Sequence, residues 1–150
     1  MRPFIAASLA ITFLCCPFAA YAQGDPAGRA ERVQAAVKSV VAVQLNDGEA
    51  AALNALQACY QGLPEGQQTD KLEECLAQDI AYANFSAGMY RNTLKNAQQP
   101  EYASMDAMKV RVYAQARRAG LSQGAADQLL RAIAPVAIQS LVPAIQAARK

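Results

Sequence analysis

The sequence predicts an all-α protein: a single-domain bundle of four to five helices with one intramolecular disulfide, preceded by a signal peptide. Alanine-rich stretches carry apolar residues three and four positions apart, which is the spacing of a buried helix face. Alternating β-branched runs long enough to indicate a sheet are missing from the sequence. Short segments rich in glycine, proline and asparagine separate the helical stretches.

Residues 1–22 have the three parts of a cleaved secretory signal peptide. Arg2 supplies the positive charge, residues 4–18 are apolar apart from Ser8, Thr12 and Pro17, and an Ala-Tyr-Ala cleavage site ends at residue 22. A membrane anchor needs about 20 uninterrupted apolar residues, and this run is shorter. Lipid attachment at Cys15 or Cys16 would need a small residue just before the cysteine, but the preceding residues are Leu14 and Cys15. Lipid attachment is therefore not expected. We therefore expect one helical domain over residues 23–150, in the periplasm or outside the cell.

The charge of the exported chain is nearly balanced overall but differs between its halves. Without Arg2, 13 basic and 12 acidic side chains leave a net charge of +1, which does not indicate a nucleic-acid-binding protein. Residues 25–79 carry a net charge of −5, whereas residues 80–150 carry +6. We expect the halves to attract one another or to present solvated faces; a basic face that binds a partner is the alternative.

The first two helices have clear start and stop signals. Asp25 as N-cap and Pro26 at the first position predict the start of helix 1, which should end at residues 46–48. Asp47 is the predicted cap of helix 2. Gly62 in a left-handed conformation, followed by an apolar residue and proline, should stop it. The expected buried positions are Ala30, Val33, Val37, Val40, Val41 and Leu45 in helix 1, and Ala52, Leu53, Leu56, Cys59 and Tyr60 in helix 2.

Helix 3 should follow a polar surface loop at residues 64–68 and begin at Thr69 or Asp70. If Asp70 is the cap, it forms a capping-box-like pair with Glu73. The helix should extend toward Leu94, with a bend or break at Gly88. Its predicted apolar stripe is Leu72, Cys75, Leu76, Ile80, Ala83, Ala87 and Tyr90.

Helices 4 and 5 follow a break at residues 96–100. Gly120, followed by an apolar residue, predicts the end of helix 4, and Ser122 the cap of helix 5. Pro135 and Pro143 interrupt the last segment, so one kinked helix or two shorter ones both fit. Its uncharged part, residues 132–148, is expected to be a buried core helix. A groove for a partner or self-association, and contact with a membrane surface, are the alternatives.

Cys59 and Cys75 are the two cysteines left after the signal peptide. Each lies on the apolar stripe of its own helix, so an antiparallel hairpin brings them face to face. An exported protein with an even cysteine count typically forms a disulfide, and here one intramolecular pairing exists. A redox-active pair usually has C-x-x-C spacing or a neighbouring cation, whereas Cys75 follows Glu73 and Glu74.

The sequence contains no histidine, which removes the commonest acid-base group and transition-metal ligand. A triad with histidine is therefore impossible, and a zinc site is not expected. No cofactor is indicated. Carboxylate catalysis by Glu73, Glu74 and Asp79 is the remaining enzymatic hypothesis; we expect an aspartate beside an apolar stripe to form a cross-helix ion pair or a solvated edge.

Basic residues concentrate on the predicted fourth helix: Lys109, Arg111, Arg117 and Arg118. A solvated face, paired in part with the acidic half, is the expected role; binding of an anion or acidic partner is the alternative. The aromatic and methionine residues of helix 3 have the spacing of core positions rather than of a ligand pocket: Tyr82, Phe85, Met89 and Tyr90.

These observations favour a non-enzymatic exported protein that binds another macromolecule in the periplasm or cell envelope. A small carrier is the second hypothesis, with its core opening between helices 3 and 5 for an apolar or lipid-like ligand. A cavity lined by Met89, Met108, Leu130 and Ile133 would favour the carrier. A solid core with an exposed apolar strip on helix 5 would favour the binding protein. The sequence does not specify the partner or the oligomeric state.

Overall fold

The computed structural model describes residues 26–149, which form five α-helices, one short 3-10 helix and no strand. This part of the chain confirms the predicted all-α class. The signal peptide predicted at residues 1–22 and the predicted N-cap Asp25 lie outside the described residues. The helices are α1 Pro26–Asn46, α2 Glu49–Gln61, α3 Asp70–Asn92, α4 Met105–Arg118 and α5 Gln123–Ala148, with the 3-10 helix Glu101–Ala103 before α4.

Helix α3 lies at the centre of the bundle, because each of the other four helices packs against it. Helices α1 and α5 also pack extensively on one another, α2 covers α1 and α3, and α4 contacts α5 more lightly. Residues on several sides of α3 are therefore buried, including Ala77, Ala81 and Tyr82, which lie beside the predicted stripe. The single stripe predicted for helix 3 was too narrow.

Hydroxyl side chains begin three of the helices. Thr69 Oγ1 accepts a hydrogen bond from the Leu72 N–H at 3.3 Å, so Thr69 caps α3. The alternative with Asp70 as the cap is wrong. Ser104 and Ser122 cap α4 and α5 in the same way, and the Ser122 cap was predicted. These bonds satisfy backbone donors that a helix leaves free in its first turn.

Glycines mark three helix boundaries, but not always in the predicted conformation. Gly48, with φ of +91°, is the N-cap of α2 and no side chain caps this helix, so the prediction for Asp47 is wrong. Gly62 follows the end of α2 with φ of −79°, so its predicted left-handed conformation is also wrong. Gly120 has φ of +83°, and Leu121 N–H donates to Ala116 O at 3.0 Å, which confirms the predicted stop.

Helix α5 is one continuous helix through both prolines. Pro135 and Pro143 are exposed, and the five residues Ala126, Leu129, Ile133, Ala137 and Ala144 are buried. Because proline has no N–H, the carbonyls four residues earlier lose a helical donor. Both prolines lie on the solvent side, where water can replace that donor.

The disulfide between Cys59 and Cys75 joins the end of α2 to the start of α3, with a Cα–Cα distance of 5.7 Å. Cys75 is fully buried and Cys59 is half-buried. The predicted pairing is confirmed, and it fixes the two helices on either side of the 64–68 loop.

Two glycines should respond oppositely to substitution by alanine. Gly88 lies inside α3, where a Cβ atom would meet nothing within 4 Å, so Gly88→Ala is expected to stabilise the protein by about 1 kcal/mol. Gly120 has positive φ, so Gly120→Ala is expected to cost about 1–2 kcal/mol. Urea unfolding of both variants measures the difference; a shift in the same direction for both would contradict it.

Candidate functional site

The four basic residues predicted on helix 4 all lie on α4, but they do not converge on one anion site. Lys109 pairs with Asp106 of the same helix at 3.2 Å, and Arg118 pairs with Glu65 of the 64–68 loop at 3.1 Å. Arg117 is exposed, with no ion pair to another described residue. Binding of an acidic partner by this helix therefore stays a prediction.

Arg111, the fourth of these residues, reaches into the protein and binds the fully buried carboxylate of Asp79. Its Nη2 and Nε atoms donate to Asp79 Oδ1 at 2.6 Å and Oδ2 at 3.0 Å. The Tyr60 hydroxyl donates to Oδ2 at 3.0 Å, and Arg111 Nη1 donates to the carbonyl oxygen of Tyr102 at 2.6 Å. This network ties α2, α3, α4 and the 3-10 helix together.

The electrostatics of this network fit a structural role. Burial raises the pKa of Asp79, and the hydrogen bonds and charge of Arg111 oppose that rise without cancelling it. Burial, reinforced by the Asp79 charge, raises the pKa of Tyr60 well above 10. Both carboxylate oxygens of Asp79 are hydrogen-bonded and the residue is 0% exposed, so this geometry offers no route for a substrate to reach it.

Glu73 and Glu74, the other two candidate catalytic carboxylates, each have their own cation. Glu73 is almost fully buried and accepts bonds from Arg29 at 3.0 and 3.1 Å and from Arg32 at 3.4 Å. Glu74 pairs with Lys71 at 3.0 Å. Among the described residues, no three histidine, cysteine, aspartate or glutamate side chains are grouped as a metal site would need. Glu73 and Asp79 therefore join α3 to α1 and α4, whereas Glu74 pairs within α3.

Three of the four aromatic and methionine residues predicted as core positions of α3 lie in or against the core: Tyr82 is fully buried, Phe85 is 7% exposed, and Met89 packs against the core. Tyr90, the fourth, is half-buried and lies outside the core cluster. A polar cluster beside them was not predicted. The Tyr90 hydroxyl donates to Glu49 Oε2 at 2.9 Å, and Gln44 Nε2 donates to Ser86 Oγ at 2.9 Å. These contacts join α3 to the end of α1 and the start of α2. Their partners are more than 40 positions apart, so helical periodicity could not reveal them.

The surface that stands out is the exposed side of α5, which we call the α5 face: Pro135, Ile138, Gln139, Val142 and Pro143. Ile138 is 47% exposed and Val142 is 62% exposed. These residues recur three and four positions apart on one side of the helix, opposite the side that packs on α1 and α3. No charged residue lies between Arg131 and Arg149. The face is therefore a long, neutral and partly apolar strip.

A groove runs along each side of the α5 face. The groove on the α4 side has a volume of about 450 Å³, and the groove on the α1 side about 390 Å³. The first is lined by Tyr113, Asp127, Leu130, Arg131, Ala134, Pro135 and Ile138. The second is lined by Gln34, Lys38, Val136, Gln139, Ser140, Pro143, Ala144 and Ala147. Helix α5 thus forms a ridge between two shallow channels.

Helix α5 is also apolar for a helix with so much exposed surface. Among the described helices, it alone is long and apolar enough to cross a membrane, with a mean hydropathy of 1.4 over 18 residues. Core helices of soluble proteins pass the same test, but only 22% of this window is buried in the protein. The large apolar residues that α5 leaves exposed are Ile138 and Val142, whereas Leu130, Val136, Leu141 and Ile145 are half-buried against the core.

Comparison of the chain with protein-family models, with curated proteins and with solved structures found no match.

Proposed function

We propose that this chain is a non-enzymatic exported protein that binds another macromolecule in the periplasm or cell envelope through the α5 face. The observation that carries the proposal is the contrast between the apolar composition of α5 and its 22% burial. Ordinary monomers rarely leave a contiguous apolar strip in water, and interface cores are depleted of charge.

The disulfide supports the exported location. Cysteine pairs such as Cys59 and Cys75 persist in oxidising compartments and are rare in the reducing cytosol. The signal sequence predicted at residues 1–22 points to the same compartments.

The core supports a binding protein over a ligand carrier. A cavity lined by Met89, Met108, Leu130 and Ile133 would favour the carrier hypothesis. Ile133 and Met108 are buried in the core, 0% and 6% exposed, and neither lines a groove beside α5. Leu130 lines the α4-side groove without the other three.

Capture of partners from the native envelope fraction tests the proposal, with mass spectrometry for proteins and co-purified lipids. Ile138→Asp places a charge on the α5 face and should reduce capture roughly tenfold, the loss expected from about 1.4 kcal/mol of binding free energy. Val110→Asp is the matched control, since Val110 is 71% exposed but lies on α4. Circular dichroism verifies that both variants fold.

Two results would count against this function. Equal capture by both variants would show that the α5 face is not the binding surface. A lipid retained stoichiometrically by wild type and by Ile138→Asp alike would favour the carrier.

A further inference from the structure

We infer that the α5 face accepts a second copy of this chain, in an antiparallel contact between two α5 helices with a two-fold axis at Ile138. This inference rests on the proposed function, because it names the partner of the same surface. Three features of α5 support it: the spacing of its exposed residues, the placement of charge at its ends, and the grooves beside it.

The spacing is that of a helix-pairing seam. Starting at Gln128, positions on one side of α5 alternate at intervals of three and four: Gln128, Arg131, Pro135, Ile138, Val142, Ile145 and Arg149. Such a repeat keeps one stripe turned toward a partner helix. All seven are exposed except Ile145, which is half-buried. The seam is symmetric about Ile138 to within one residue: Pro135 lies three positions before it and Val142 four positions after it. An antiparallel copy therefore places Pro135 within about one residue rise, 1.5 Å, of Val142 of the second copy, and the reverse.

The charges favour the antiparallel direction. Asp127 lies 11 residues before Ile138 and Arg149 lies 11 residues after it, each about 16 Å along the helix axis. A two-fold axis at Ile138 therefore brings Asp127 of one copy to Arg149 of the other, at both ends of the contact. A parallel pair would instead align Arg131 with Arg131 and Arg149 with Arg149. Opposite charges at the rim of a contact set its direction and register.

The grooves favour a helix as the occupant. Helices pack by inserting the side-chain ridge of one into the groove beside the ridge of the other. The α5 ridge has grooves of about 450 and 390 Å³ on its two sides, and Pro135 and Ile138 belong to both the ridge and the wall of the larger groove. One surface therefore supplies both halves of the fit, as an isologous interface requires.

The face is less suited to a lipid surface. Helices that lie in a membrane interface carry many lysines and arginines beside the apolar strip. Between Arg131 and Arg149 the α5 face carries none; Gln139 is its polar member, and the exposed Gln146 follows it two turns later. Amides of this kind can exchange hydrogen bonds with a protein partner.

Disulfide crosslinking at Ile138 tests the geometry in the exported protein with its native disulfide formed. Ile138→Cys should give a crosslinked dimer in high yield under mild oxidation, because the axis places this position opposite itself. Val110→Cys is the control: it is more exposed, at 71% against 47%, but lies on α4 and should stay monomeric. Pro135→Cys mixed with Val142→Cys should crosslink better than either variant alone.

Sedimentation velocity over a range of concentrations up to about 1 mM measures the affinity. Wild type should dimerise, and Ile138→Asp should weaken dimerisation at least roughly tenfold, whereas Val110→Asp should not. A wild type that is monomeric throughout, or equal crosslinking at positions 110 and 138, would overturn the second-copy proposal.

The two proposals fail in different ways. If wild type is monomeric but Ile138→Asp still abolishes capture from the envelope fraction, the binding function stands and the second copy is wrong. Co-sedimentation with phosphatidylethanolamine–phosphatidylglycerol vesicles that Ile138→Asp abolishes would assign the face to a membrane and would also overturn the second copy. If wild type dimerises as expected, the second copy is itself the bound macromolecule.

Discussion

Arg111→Met is expected to lower the free energy of unfolding by about 3–5 kcal/mol, because it leaves the Asp79 carboxylate buried without its cation. The methionine keeps an apolar stem of similar reach, so the loss comes from the charge and its hydrogen bonds. Urea unfolding followed by circular dichroism measures the change.

Lys109→Met on the same helix is the control. Lys109 and its partner Asp106 are both exposed, so this change should alter stability by no more than about 0.5 kcal/mol. Adding Asp79→Asn to Arg111→Met removes the uncompensated charge and should recover part of the loss. If Arg111→Met alone is as stable as Lys109→Met, the ionic network of Arg111 and Asp79 does not stabilise the fold.

The same variant should depend on pH in a defined direction. Burial raises the pKa of Asp79 and Arg111 opposes that rise, so removing Arg111 should raise the pKa further. A carboxyl group whose folded pKa exceeds its unfolded value binds its proton more tightly in the folded state. The destabilisation should therefore be largest at neutral pH and shrink as the pH falls toward the unfolded pKa of about 3.9.

Removing the disulfide with Cys59→Ala and Cys75→Ala together is expected to lower the free energy of unfolding by about 3 kcal/mol. The cysteines are 16 positions apart, so the crosslink restricts a short loop in the unfolded chain. Alanine avoids placing a hydroxyl at the fully buried position 75. Urea unfolding compares the double variant with oxidised wild type.

Reduced wild type should unfold at nearly the same urea concentration as the double variant. Thiol titration of the purified oxidised protein, denatured without reductant, should find no reactive sulfhydryl in the exported chain. Two thiols per chain, or a double variant as stable as wild type, would contradict a structural disulfide.

Local signals in the sequence were sufficient for the helices and several of their ends. The valine spacing of α1, the Ser122 cap and the Gly120 stop depend on neighbours within a turn or two, and the structure confirms them. Asp47 and Gly62 show the limit of such signals. The N-cap of α2 is Gly48 rather than its neighbour Asp47. The same helix ends before Gly62, although Gly62 is not in the left-handed conformation.

The sequence does not predict which side chains of different helices pair with one another, because these pairs form only when the helices pack. The sequence predicts a cross-helix ion pair or a solvated edge for Asp79, but its partner Arg111 is 32 positions away, on the helix face predicted to be solvated. The long arginine side chain reaches from the edge of α4 into the core while its stem covers apolar surface. Which edge of α4 faces α3 is set by packing, which one-dimensional periodicity does not specify.

The central position of α3 has a consequence for how the protein opens. A disulfide joins α2 to α3, and α1 and α5 pack on α3 and on each other. Helix α4 contacts α5 only lightly, has no disulfide, and is tied to α3 through the Arg111–Asp79 pair. Regions with fewer buried contacts detach at lower free energy than the global transition. We therefore expect the amide hydrogens of α4 to exchange with solvent first, through local opening of that helix. The amide hydrogens of α3 should exchange only when the whole bundle unfolds.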